Sequence, residues 1–235
     1  MSRIAHLSDL HLNGSARRSA KFVAALRSAK TWRPDHLILT GDLTSRGKQS
    51  ELDELRGVLS KHWLGGTTII PGNHDGKLSG FDSALTDLGD VVVLPIDTRV
   101  HRRALFFRAL GQVGDAQMQH LESATRTGGR PILIAMHHGP QLHPLHVFDG
   151  LIDRVSMLGL LMERSHVFIA CGHDHRVMDH SLIPESAPRI FVAASVAHHH
   201  EPLRIYDVTG SEIRPIYQSE VPGRYFTFGG LPVSK

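Results

Sequence analysis

Short apolar runs recur along the chain, at residues 4–7, 36–39, 67–70, 132–136 and 166–171, each closed by polar residues or glycine. Their length, β-branched content and glycine boundaries predict buried strands rather than helices. Between them the pattern changes to a helical spacing. Residues 15–30 carry Ala20, Val23, Ala24 and Leu26 among basic residues, and residues 49–59 carry Leu52, Leu55, Val58 and Leu59. Residues 114–124 and 151–163 read alike, and strand alternating with helix predicts an α/β layered fold. From about Arg99 the texture shifts. Residues 99–110 suit a short hairpin. Residues 177–183, 189–192, 203–208 and 212–217 read as strands without intervening helices, which predicts a second, mostly antiparallel sheet. Residues 1–220 are expected to form one domain, and 221–235, rich in Pro and Gly, a C-terminal tail.

Composition narrows the class. Hydrophobic residues make up 41% of the 235 and charged residues 21%, which excludes disordered, collagen-like and coiled-coil chains. The 26 basic residues against 23 acidic ones leave a net charge of +3. That is too little for a surface that coats nucleic acid, although the pI near 9.2 keeps a nuclease in view. One cysteine, Cys171, excludes a disulfide scaffold and a thiolate zinc site. An N-terminus that runs straight into a strand, without a secretory apolar region, points to a cytoplasmic protein. No segment nears the length of about 18 apolar residues that a spanning helix needs. Histidine is the outlier, 18 residues against 3 Tyr and 2 Trp.

The chemistry lies where the runs end. The first is followed by Ser8-Asp9-Leu10-His11, the second by Gly41-Asp42, and the third by Gly72-Asn73-His74-Asp75. His137-His138-Gly139-Pro140 follows the fourth and Gly172-His173-Asp174-His175 the fifth. Ligands of open α/β sheets bind beyond the carboxyl ends of strands, so these five loops are expected to converge. Gly41, Gly72 and Gly172 each precede a candidate ligand, where a tight turn or a close backbone approach favours a residue without Cβ. Oxygen and nitrogen donors alone suit Mn²⁺, Fe²⁺ or Fe³⁺, Zn²⁺ or Co²⁺. Two Asp, one Asn and four His exceed the needs of one ion with open positions. They match two ions sharing a carboxylate, about 3.5–4 Å apart in such sites. Two carboxylates against two divalent ions leave a positive centre that attracts phosphate and acidifies bound water, which points to a phosphate-ester hydrolase.

Asp-x-His, Gly-Asp, Gly-Asn-His-Asp, His-His and Gly-His-x-His, in this order between Ile4 and His175, resemble the calcineurin-like metallophosphoesterase superfamily. The resemblance implies a two-sheet β-sandwich flanked by helices, a four-layer αββα arrangement. It implies two metal ions, divalent or of mixed valence, with manganese and iron ahead of zinc and cobalt. By position, Asp9, His11, Asp42 and His175 would hold one ion, and Asp42, Asn73, His137 and His173 the other. His74, outside the ligand set, would bind phosphate and assist the leaving group, while a hydroxide between the ions attacks phosphorus in line. Leu7-Ser8-Asp9-Leu10-His11-Leu12, Gly72-Asn73-His74-Asp75 and His137-His138-Gly139-Pro140 look most like the class III cyclic-nucleotide phosphodiesterase and glycerophosphodiesterase branch. Gly139 departs from the His-His-Pro of that branch. The expected partner is therefore a small phosphate ester, with a nuclease, a phosphomonoesterase, a pyrophosphatase and a non-catalytic scaffold as the competing readings.

Other residues have plainer explanations. Adjacent side chains in an extended segment diverge, so one of His137 and His138 is expected to be a ligand, His137, with His138 orienting it or facing the cleft. Asp75 and Asp174 suit either hydrogen bonding to a bound imidazole or an exposed turn. His143 and His146 suit a solvated loop or the pocket wall. One of His198, His199 and His200 is expected at the rim of the site. Arg17 and Arg18 suit a solvated helix face, and Cys171 a small core position.

Overall fold

The computed structural model describes residues 1–100, 109–126, 128–141, 149–181, 188–199 and 202–218. The elements in chain order are β1 (Arg3–Leu7), α1 (Ala16–Thr31), β2 (His36–Thr40), α2 (Gln49–His62) and β3 (Gly66–Ile70). A 3-10 turn over Asn73–Asp75, β4 (Thr86–Asp87), β5 (Val92–Pro95), α3 (Asp115–Thr125) and β6 (Ile132–Ala135) follow. The chain continues through α4 (Arg154–Leu161), β7 (Val167–Cys171), β8 (Met178–Ser181), β9 (Arg189–Val192), β10 (Arg204–Thr209) and β11 (Glu212–Gln218).

The strands form two sheets, ordered β11-β10-β1-β2-β3 and β4-β5-β6-β7-β9-β8. Within the first, β1, β2 and β3 run parallel, and within the second β5, β6, β7 and β9 do. The C-terminal strands do not make a sheet of their own. β10 and β11 add antiparallel to β1, while β9 pairs parallel with β7 and antiparallel with β8. Strand β5 falls on Val92-Val93-Leu94-Pro95, a run absent from the expected set. The expected hairpin at 99–110 lies mostly outside the described residues, as do His143, His146, His200 and the tail 221–235.

Side-chain alternation along the strands builds the layers. In β1, Ala5 and Leu7 face outward and share a cluster with Phe22, Leu26 and Ala29 of α1 and Leu52 and Leu55 of α2. Ile4 turns inward, to a middle cluster with Ile38, Val93, Leu133, Phe168, Phe191 and Tyr206 from both sheets. The far face carries Ile132, Ile134, Val167 and Ile169 against Leu121 of α3 and Met157 and Leu161 of α4. Helix, sheet, sheet and helix therefore stack in four layers. Two polar groups lie in the middle layer with their partners. His6 bonds through both ring nitrogens, to Tyr206 and Thr40 at 2.7 Å each. Arg204 donates to the carbonyls of Met178 and Val192, pairs with Asp179, and stacks on Phe191 and Tyr206. Among the described residues no helix is long and apolar enough to cross a membrane.

Candidate metal centre

The five loops emerge at one edge of the sandwich. Ser8, past β1, bridges Ser195, past β9, and so ties the two sheets together there. Asp9 and His11 follow β1, Asp42 follows β2, Asn73 and His74 follow β3, His137 and His138 follow β6, and His173 and His175 follow β7. Among the described residues six non-glycine residues have positive φ, and five of them are candidate ligands: Asp9 (55°), His11 (45°), Asp42 (49°), His173 (71°) and His175 (56°). Such conformations cost on the order of 1–3 kcal/mol each and persist where the surroundings impose them. The strain is concentrated where side chains must turn toward one point.

The three glycines serve that convergence. Gly41 itself has φ +87°, and a Cβ there would meet the ring of His137. Gly72 has an extended backbone, so its need is close approach: a Cβ would strike the Asp42 carboxylate. At Gly172 it would collide with Ser8 and Asp9.

The donor atoms lie close together. His137 Nε2 is 3.4 Å from Asp42 Oδ1, 3.2 Å from Asn73 Oδ1 and 3.3 Å from His173 Nδ1. His137 Nδ1 must donate to the Thr40 carbonyl at 2.7 Å, which leaves Nε2 of the neutral ring as a lone pair facing other acceptors. On the other side, His175 Nε2 is 3.1 Å from Asp9 Oδ1 and 3.5 Å from His11 Nε2, itself 3.8 Å from Asp42 Oδ2. Asp9 Oδ1 is buried and, despite that nearness, makes no hydrogen bond of acceptable geometry. Such a set of acceptors calls for positive charge between them, supplied by protons or metal ions, and its nitrogen and carboxylate donors suit divalent transition ions. Ligand atoms of Asp9, Asp42 and His137 all lie within 4.8 Å of one another, as do those of Asp9, His11 and His175.

The electrostatics agree. Burial disfavours the charged form of His137, yet Asp42 and Asp9 overcome it and raise the imidazole to about 10. Burial likewise opposes ionisation of Asp42 and Asp9, but the surrounding imidazoles hold both carboxyls below the usual range. His11, buried with weaker carboxylate support, falls to about 4. His175 is opposed by burial but raised by its contact with Asp9, so the two imidazoles nearest the carboxylates, His137 and His175, are the ones whose charged forms are favoured.

His74 stands at the open side, its side chain 46% exposed, with Nε2 4.0 Å from Asp42 Oδ2. Its Nδ1 donates to the Ser45 carbonyl at 3.1 Å, and its ring meets that of His11 edge to face. Its backbone N–H donates to Asp42 Oδ1 at 2.8 Å. Asp75 is fully buried, and among the described residues its carboxylate takes its hydrogen bonds from the backbone and a hydroxyl rather than from an imidazole. It accepts from the amides of Gly72, Leu43 and Thr44 and from the Thr44 hydroxyl, locking the β2 and β3 loops together. Asp174 accepts from Gln141. His198 reaches the site, its ring stacked on His175 at 5.0 Å and meeting His11 at 5.8 Å, and His199 Nε2 donates to the His175 carbonyl at 2.7 Å. Ser195 donates to the Asp9 carbonyl and accepts from His198 Nδ1, so His198 is aimed through the loop that holds Asp9. Thr98, which bonds His138, escapes a reading that leaves out β5.

Comparison with known proteins accords with this geometry. The chain is 30% identical over 224 aligned residues to a "Probable cyclic nucleotide phosphodiesterase" of Moraxella catarrhalis (strain BBH18), covering 80% of this chain and 75% of the relative. It is 27% identical over 206 aligned residues to the glycerophosphodiester phosphodiesterase GpdQ of Enterobacter lignolyticus (strain SCF1), covering 74% and 71%. A dimetal phosphatase from Danio rerio shares the fold at a TM-score of 0.70 and 12% identity, over 92% of this chain and 98% of that one. A purple acid phosphatase from yellow lupin seeds does so at 0.60 and 11%, over 93% of this chain and 46% of the other. Residues 2–177, which span every loop of the centre, match the model of the calcineurin-like phosphoesterases, and the chain belongs to that family.

Proposed function

We propose that the protein hydrolyses small phosphodiesters, of the cyclic-nucleotide or glycerophosphodiester kind, at a two-metal centre. Asp9, His11, Asp42 and His175 would hold one ion and Asp42, Asn73, His137 and His173 the other, with Asp42 shared. The observation that carries this reading is the convergence of buried acceptors, with His137 Nε2 facing Asn73, Asp42 and His173 and Asp9 Oδ1 left unbonded. When bound, such ions lower the pKa of water and neutralise charge on phosphoryl oxygens.

The chain's own groups do the rest. Asp42 is held by the His74 amide, so the shared carboxylate and the His74 loop keep one geometry. With Nδ1 committed to Ser45, His74 turns Nε2 to the open side, where a protonated ring would donate to a phosphoryl oxygen or to the departing alkoxide. His198 flanks the same opening beside His11 and His175. The diester preference is supported by the two relatives above and by a net charge of +3 without a long basic stripe.

The test is hydrolysis of bis(p-nitrophenyl) phosphate beside p-nitrophenyl phosphate, by metal-stripped protein with Mn²⁺ added back. The expected result is turnover that returns with Mn²⁺ and is faster on the diester. Faster monoester hydrolysis would replace the reading with a phosphomonoesterase, and no turnover with both ions bound would contradict hydrolysis of simple esters.

A further inference from the structure

Helix α1 begins just past the loop that carries Asp9 and His11, and it opens Ala16-Arg17-Arg18-Ser19-Ala20-Lys21 with no acidic residue in its first turn. The N-cap Ser15 accepts from the Arg18 amide, which fixes where the helix starts. The sequence alone puts Arg17 and Arg18 on a solvated helix face, and the structure separates the two: Arg17 is exposed and Arg18 half-buried. Residues three apart share a helix face, so Arg18 and Lys21 point to the same side.

Lys21 shows what lies on that side. Its Nζ donates to the carbonyl of Ala197 at 2.8 Å. Ala197 precedes His198, and its own amide donates to the Asp9 carbonyl at 3.1 Å. The His198 ring lies 5.0 Å from that of His175 and 5.8 Å from that of His11. One face of α1 therefore borders the loop that borders the metal ligands. Burial and His175 hold the His198 imidazole below its usual value, and the charges of Arg18 and Lys21 add to the effect across the gap.

Arg18 is positively charged and poorly partnered. Its Nη1 is buried and, among the described residues, has no hydrogen-bond partner. Glu54 of α2 reaches the start of α1 but accepts from the Gly14 amide and the Ser19 hydroxyl. A guanidinium offers a flat fork of donors that matches a phosphate. A desolvated donor without an acceptor is unfavourable, and charge attracts charge more strongly where water is thin. The group that relieves this must be an anion, and it must reach α1 from the metal edge.

Resting on the phosphodiesterase reading above, we propose that Arg18, with Lys21 beside it, forms a subsite for a second phosphate carried on one ester arm of the substrate. The favoured substrate is then a diester whose alcohol bears a phosphate monoester of its own, rather than a diester of neutral alcohols. Lys21 also fastens the loop of His198 through Ala197, so its removal would mix binding with loop position. Arg18 is the cleaner residue to change, and Gln keeps its helix propensity.

Equilibrium binding tests this without turnover. Calorimetry on the Mn²⁺-loaded protein compares thymidine 3′,5′-bisphosphate with thymidine 5′-phosphate, which differ by the second phosphate alone. The wild type is expected to bind the bisphosphate about 10-fold or more tightly, the scale of one hydrogen-bonded contact between charged groups. Arg18→Gln should bring the two affinities close to equal. Lys30→Gln removes the same charge about 18 Å further along the helix and should keep the preference. Equal affinities in the wild type, a preference that survives Arg18→Gln, or one lost equally in Lys30→Gln would overturn the subsite. An Arg18-dependent preference in a protein that hydrolyses no diester would uphold the subsite and remove the phosphodiesterase reading. Turnover of bis(p-nitrophenyl) phosphate without a bisphosphate preference would do the reverse, and binding of neither nucleotide would overturn the subsite.

Discussion

Two walls of different chemistry meet at the centre. The loops of the first sheet bring both carboxylates, Asp9 and Asp42, together with Asn73, His11 and His74, whereas the loops of the second bring His137, His138, His173 and His175 and, among the described residues, no carboxylate to the cluster. The first wall is stitched by its own backbone. Asp9, His11 and Leu12 donate to the carbonyls of Gly41, Asp42 and Leu43, and Asp75 fastens the next loop to the same strip. The second wall leans on the first, with the His173 amide donating to Asp9 Oδ2 and the His137 ring to Thr40. Carboxylate is therefore concentrated on one wall and imidazole on the other. Neither sheet forms the site without the other.

The largest loss should follow from removing Asp42, the carboxylate proposed to be shared by both metal positions. Asp42→Asn is expected to reduce diester turnover by at least about 10²-fold, the scale of losing one preorganised electrostatic contact at a reacting centre. Next come substitutions that touch one wall each. Asn73→Ala and His175→Ala should both lower metal content and turnover, and full activity in Asn73→Ala would break the assignment of Asn73 to the centre. His74→Ala separates binding from chemistry. Metal content should hold while kcat falls by about 10²-fold, at the low end of what a general acid contributes. Asp75→Asn tests the stitching of the first wall. Loss of a charged acceptor for buried amides should cost about 1–3 kcal/mol in urea unfolding of the metal-free protein.

The smallest expected effect lies between the sheets, away from the metal. Burial, with Arg204 nearby, pushes His6 well below its usual value of 6.5. Between the lowered folded value and the ordinary unfolded one, the unfolded chain binds a proton that the folded chain refuses. Stability is therefore fully present above about pH 6.5 and declines as pH falls below it, by about 1.4 kcal/mol per pH unit for this group. Urea unfolding at pH 7 and pH 5.5 should show a loss about 1 kcal/mol smaller in His6→Gln than in the wild type. Equal losses would show that His6 does not carry the effect.

Much of this was legible in the sequence, because a buried parallel strand and the loop after it are local signals. β1, β2, β3, β6 and β7 each read as an apolar run, and the polar residues that close those runs are the ones the fold brings together. Strand partners are a different matter, since pairing depends on residues far apart in the chain. The strands after Arg176 read as a single sheet, yet β8 and β9 join one sheet and β10 and β11 the other. β5 went unread within Val91-Val92-Val93-Leu94-Pro95, and with it went Thr98, three residues past the strand. The proximity of His137 and His138 was hidden as well, because a bend after a strand leaves no mark in residue spacing. Asp75 shows the same limit: its position beside two candidate ligands did not reveal that it binds amides rather than a metal-bound ring.

The central claim is that two ions sit between these walls and share Asp42, and metal content tests it most directly. The protein would be stripped, reloaded with Mn²⁺ or Co²⁺, freed of loosely bound ions and analysed for metal per chain, beside Asp42→Asn and His175→Ala. The account predicts two ions per chain in the wild type, loss of one in His175→Ala and loss of both in Asp42→Asn. A single ion in the wild type, or two ions retained in Asp42→Asn, would contradict it.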